Sequence, residues 1–69
     1  MKYSAKYKNA YSDFMLDSGY VVGSSDFKYK DCSVTILCEG QSLYDAIKDF
    51  VEMVDEIIDT IDNDKEKNN

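Results

Sequence analysis

The feature that most restricts this chain is the apolar period between Gln41 and Asn63, QSLYDAIKDFVEMVDEIIDTIDN. Leu43, Ile47, Phe50, Val54, Ile57 and Ile61 follow one another at spacings of four and three, and Ala46, Val51, Met53 and Ile58 widen the same stripe. Such spacing predicts an amphipathic α-helix, because about 3.6 residues per turn bring a side chain back to one face every third or fourth position. On a wheel of about 100° per residue the apolar positions fill an arc of roughly 160°. Asp45, Asp49, Glu52, Asp55, Glu56, Asp59 and Asp62 take the other side, with Lys48 among them. Ser42 is placed to cap the N-terminus, with Asp45 three residues on, and Asn63, Asp64 and Lys65 do not extend the apolar face. The helix is therefore predicted over 42–62, followed by a disordered polar tail over 63–69.

The charge is distributed unevenly. Residues 1–41 carry five lysines against five acids, the helix carries seven acids against one lysine, and the tail is balanced. The whole formal charge of −6 thus sits on one helix. Like-charge pairs one turn apart, such as Asp45 with Asp49 and Glu52 with Glu56, each cost about 0.2–0.5 kcal/mol, so a helix selected for stability alone would alternate its signs.

At 69 residues the chain is expected to form one small α+β domain over 1–62, near the lower limit for a self-sufficient core. The N-terminal residues show neither a secretory signal nor an apolar run long enough to span a membrane, so a cytoplasmic protein is expected. Cys32 and Cys38 would lie about 20 Å apart on one strand, too far to bridge, and are expected as reduced thiols. Lysine without any arginine, together with several asparagines, suggests AT-rich coding sequence, hence a low-GC bacterium, its phage or a mobile element.

From the start, KYSAKYK over Lys2–Lys8 alternates strictly and predicts a half-buried strand, although a helix through Tyr3, Tyr7, Ala10 and Phe14 also fits. Residues 9–19 are ambiguous between a short helix and a strand that runs into a turn at Asp17, Ser18 and Gly19. Tyr20, Val21 and Val22 begin a strand, and Gly23, Ser24, Ser25 and Asp26 look like a hairpin connection. FKYKDCSVTILC, over Phe27–Cys38, has the strongest strand pattern. Its phase changes between Tyr29 and Val34, which predicts a bulge or break near Asp31. The economical architecture is an antiparallel sheet of about three strands, covered on one face by the long helix. Tyr3, Tyr7, Phe27 and Tyr29 would then face the helix, sending Lys2, Lys6, Lys8, Lys28 and Lys30 to the outer sheet face.

Composition argues against most chemistry. The chain has no histidine, and no arginine, glycine-rich phosphate loop or Walker pattern appears. Neither cysteine has an activating base within its strand, and two thiols without histidine make a poor metal set. Carboxylates on a solvated helix lack the desolvation that would split their pKa values for acid–base work. No catalytic residue, metal or cofactor is assigned, and a non-enzymatic binding protein is expected.

Three binding readings follow. In the first, Asp45, Asp49, Glu52, Asp55, Glu56 and Asp59 contact a basic groove of another protein, one that ordinarily receives nucleic acid. Seven acids from Asp45 to Asp62 span about 26 Å, roughly one per 4 Å, close to the axial spacing of about 3.4 Å along one DNA strand. A phage or mobile-element inhibitor of a nuclease, of anti-CRISPR or anti-restriction type, would act this way as a DNA mimic. In the second, Lys2, Lys6, Lys8, Lys28 and Lys30 with interleaved tyrosines bind nucleic acid. In the third, the helix stripe pairs with its own copy, giving a homodimeric adaptor or structural protein.

Overall fold

A computed structural model describes the backbone of residues 2–67 and the side chains of residues 3–64. Four antiparallel strands run in chain order, β1 (Lys2–Tyr7), β2 (Ala10–Asp17), β3 (Tyr20–Tyr29) and β4 (Cys32–Gly40), and one helix, α1 (Leu43–Lys67), packs on one face. The class is α+β, with four strands where about three are expected.

Two-residue turns at Lys8–Asn9, Ser18–Gly19 and Lys30–Asp31 join the strands. Their first residues take the left-handed conformation, at φ 54 for Lys8, 51 for Ser18 and 55 for Lys30. Short hairpin loops need positive φ there, because that twist matches the right-handed twist of the strands they join. The phase change near Asp31 is therefore a full hairpin rather than a bulge. Tyr29 pairs with Cys32, so odd residues of β3 and even residues of β4 share a face.

The larger difference lies at Gly23–Asp26, which continues β3 instead of turning. Its residues alternate despite their turn-like composition. Ser25 is buried, its hydroxyl donating to the Tyr11 carbonyl at 2.7 Å, while Asp26 faces outward and accepts from Thr35 Oγ1 at 2.7 Å. Gly23 sits between Phe14 and Cys38 in the cross-strand register, and a Cβ there would come within 2.6 Å of Cys38 Sγ and 2.7 Å of the Phe14 ring. The glycine is in place because two larger neighbours fill the space above it.

The core lies between sheet and helix. Ala10, Phe14, Val21, Phe27, Ile36 and Cys38 from the strands meet Ala46, Phe50 and Val54 from the helix. Phe14 and Phe50 pack edge to face, with ring centroids 6.0 Å apart and planes at 81°. Leu43, Ile47, Met53, Ile57 and Ile58 pack around this centre, so the sheet takes up the predicted stripe. The same stripe is then not available to pair with the helix of a second copy. Ser42 caps the helix as expected, its Oγ accepting from the Asp45 N–H at 3.1 Å. The helix continues past its predicted end, with no proline or glycine to stop it and with good helix formers, glutamate and lysine, in its last turn. Residues 68 and 69 of the expected tail lie outside the described residues.

Substituting Gly23→Ala should cost about 1–3 kcal/mol through overpacking. Thermal denaturation followed by circular dichroism should show the melting temperature lowered by roughly 4–8 °C per kcal/mol for a domain of this size. An unchanged melting temperature would mean that Phe14 and Cys38 can move aside.

Candidate functional site

Packing the apolar stripe on the sheet points the opposite side of α1 to solvent. On a wheel of about 100° per residue, Asp45, Glu52, Glu56 and Asp59 fall within an arc of roughly 60° centred directly opposite the buried residues. The other acids flank this ridge, with Asp49 on one side and Asp55 and Asp62 on the other. The flanking acids fold back onto the sheet.

Asp49 accepts the backbone N–H of Glu39 at 3.1 Å, satisfying a donor on the edge strand β4. Asp55 accepts from the Tyr7 hydroxyl at 3.0 Å and from Lys8 Nζ at 2.7 Å. Asp62 accepts from the Tyr29 hydroxyl at 3.1 Å and from Lys30 Nζ at 2.5 Å. Each lysine also lies over the ring of the tyrosine before it, at 5.3 Å for Lys8 and 5.5 Å for Lys30. The two clamps are alike because their sequence is alike. The triplet KYK occurs at 6–8 and at 28–30, each time ending a strand with an inward tyrosine and opening a turn with a left-handed lysine. Asp55 and Asp62, seven residues apart, stand two turns apart on one side of the helix to receive them. This short repeat, paired with a heptad of aspartates, is the signal in the sequence that strand and helix patterns alone pass over.

The clamps correct the expected lysine face. Lys8 and Lys30 belong to the turns and reach the helix, because a left-handed residue at the strand end redirects the chain out of the strand alternation. Lys6 and Lys28 do occupy outward positions, while the Lys2 side chain lies outside the described residues. Asp13, Asp17, Asp26 and Glu39 occupy the same outer face, so its charge is mixed. The Glu39 carboxylate, beside Tyr20, pushes its phenol above its usual pKa.

Asp45, Glu52, Glu56 and Asp59 are exposed, and the two ion pairs to the turns go to Asp55 and Asp62 instead. Glu52, Glu56 and Asp59 line a shallow, open depression with Asp55, Asp62 and Lys8, so five carboxylates face one lysine there. Among the described residues no three potential ligands cluster closely enough to hold a metal ion. Both cysteines are free thiols. Cys38 is buried, and that burial pushes its thiol above the usual pKa. No described helix is long and apolar enough to cross a membrane. Comparison with protein-family models, with curated proteins and with solved structures finds no match for this chain.

The hydrogen bond from Lys8 holds Asp55 below the ordinary carboxylate pKa, that from Lys30 does the same for Asp62, and Asp55 in turn raises Lys8. A carboxylate with a lowered folded-state pKa contributes stability that is fully present above its unfolded value and is lost as pH falls through the folded one. The stability difference between the native chain and an Asp55→Asn, Asp62→Asn variant should therefore be constant near neutrality, begin to fall as the pH approaches about 4, and vanish only below the lowered pKa of the two carboxylates. It should also shrink with added salt, since both pairs are about half exposed. Denaturant titrations at several pH values check this, and a difference unchanged at low pH would mean that the clamps are not ionic.

Proposed function

We propose that this protein is a non-enzymatic binding module whose outer helix ridge occupies a basic surface of another protein. The observation that carries the reading is the division among the helix acids. Three are engaged by the chain itself, whereas Asp45, Glu52, Glu56 and Asp59 stand in one line that neither the clamps nor the edge cap takes up, with Lys48 one turn from both Asp45 and Glu52.

The ridge runs about 21 Å from Asp45 to Asp59, a mean axial step of about 7 Å. That is every second phosphate along a DNA strand at about 3.4 Å per step, a sparser match than all seven acids would give. The suited partner is a protein that ordinarily holds nucleic acid in a lysine- and arginine-lined groove. The reading includes an inhibitor of a nuclease from a phage or mobile element, of anti-CRISPR or anti-restriction type, acting in the cytoplasm, where two reduced thiols are at home. Association would be steered electrostatically and would weaken steeply with salt.

The test is a four-site variant, Asp45→Asn, Glu52→Gln, Glu56→Gln and Asp59→Asn, which leaves both clamps and the edge cap in place. Native and variant proteins are immobilised and exposed to the DNA-cellulose-binding fraction of a low-GC bacterial lysate after nuclease treatment. The native protein should retain a partner that salt or added duplex DNA releases, the variant should retain none, and the variant should melt at the same temperature or slightly higher. Equal retention by both would refute the ridge as the contact.

A further inference from the structure

The two edges of the sheet are finished differently. At β4 the helix lies alongside, and Asp49 accepts the Glu39 N–H in place of a neighbouring strand. At β1, the other edge, no strand among the described residues pairs with the outer side. Which groups face out there follows from the hairpin. The two-residue turn makes Tyr7 and Ala10 a hydrogen-bonded pair, and bonded and non-bonded pairs alternate from there along β1. The N–H and C=O groups of Tyr3, Ala5 and Tyr7 therefore point to β2, and those of Ser4 and Lys6 point away from the sheet. Such a row of main-chain donors and acceptors is a template for another extended backbone.

We infer that β1 pairs antiparallel with β1 of a second copy, Ala5 opposite Ala5, joining two sheets into one of eight strands. Three observations select that occupant. The first is closure. A two-fold axis normal to the sheet leaves β4 at both ends of the joined sheet, the edge the helix already takes up, so association stops at two. The second is side-chain fit. Each Tyr3 stands opposite the mate's Tyr7 on the helix side, at the close, non-hydrogen-bonded positions, and the small Ala5 pair lies between them on the axis. Tyr3 is 40% exposed and so has area to bury, and Tyr7 is held in place by its bond to Asp55. The third is charge. On the outer side Lys6 stands opposite the mate's Ser4, and the mate's Asp13 is next in the same row. The small serine lets the lysine reach past it, so the seam carries two lysines and two aspartates. Sliding the pairing by two residues either way opposes Lys6 to Lys6 or to Lys2, which fixes the register against the like-charge pairs. Ser4 and Lys6 of the two chains exchange four main-chain hydrogen bonds, and the ladder ends where Lys8 leaves it for Asp55. Both helices then lie on one face, roughly 30 Å apart at about 4.8 Å per strand, so their acidic ridges are separated by several Debye lengths. A seam this short buries less than the ~1,000 Å² of a tight interface, so the association is weak.

Sedimentation equilibrium at high micromolar concentration tests this on the full chain. The native protein should show the mass of two chains. Ser4→Pro should halve that mass with an unchanged circular dichroism spectrum, because proline removes an N–H that points outward and leaves the bonds to β2 in place. Oxidation reads the register independently of that variant. In a Cys32→Ser background, Ala5→Cys should link two chains by a disulfide, whereas Ser4→Cys should not, because its two copies lie diagonally across the seam at more than about 7 Å between Cα atoms. A native protein with the mass of one chain, a folded Ser4→Pro variant that stays at two, or Ser4→Cys linking as readily as Ala5→Cys would overturn the proposal. The four-site ridge variant should keep the two-chain mass, so failure of the dimer and failure of the ridge are read separately.

Discussion

Everything in this molecule depends on burying one helix stripe against one sheet face. Phe50, Val54 and Ala46 enter the space over Phe14, Val21, Phe27, Ile36 and Cys38, and among the described residues no other pair of surfaces supplies a core. Each large side chain buried there contributes about 1.5–3 kcal/mol, against a few tenths for each repulsive acid pair on the helix exterior. The difference in scale explains how a helix can carry the whole net charge and still fold. It also fixes the presentation of charge, because the rotation that buries Phe50 and Val54 sets which acids face outward.

The clamps at the turn end of the sheet act on a smaller scale. Two Tyr-Lys pairs reach from neighbouring hairpins to Asp55 and Asp62, and half-exposed ion pairs of this kind add little to stability. Their effect is on direction and charge. They attach the second half of the helix to the β1–β2 and β3–β4 turns, and they neutralise one flank of the acidic side. Asp49 does the corresponding work on the other flank, at the β4 edge, where a helix side chain takes the place of a neighbouring strand. What is left between the flanks is a narrow line of carboxylates on a rigid element.

The sequence made parts of this plain and concealed others for identifiable reasons. The four-three spacing from Leu43 to Ile61 and the Ser42 cap located the helix, and strict alternation in KYSAKY located β1, because each follows from a local period. Gly23–Asp26 misled because glycine, serine and aspartate favour turns in isolation. Here packing overrides that preference, with Gly23 small to make room for Phe14 and Cys38 and Ser25 bonded inward. The turn at Lys30–Asp31 carries neither glycine nor an Asn-Gly pair, so only the change of phase disclosed it. The acids were legible as a group. Which of them the chain itself neutralises was not, since that depends on contacts across 48 residues between Tyr7 and Asp55 and across 33 between Tyr29 and Asp62.

The central claim is that folding divides the helix acids into a bound set and an exposed ridge. Its most direct test is nuclear magnetic resonance with isotope-labelled protein, following side-chain carboxyl and backbone signals while a short polylysine peptide is added at low salt. The account predicts that the first and largest shifts fall on Asp45, Glu52, Glu56 and Asp59, with Asp55 and Asp62 holding their contacts to Lys8 and Lys30 until the ridge is occupied. Shifts spread evenly over all seven acids, or concentrated on the outer sheet face, would contradict it.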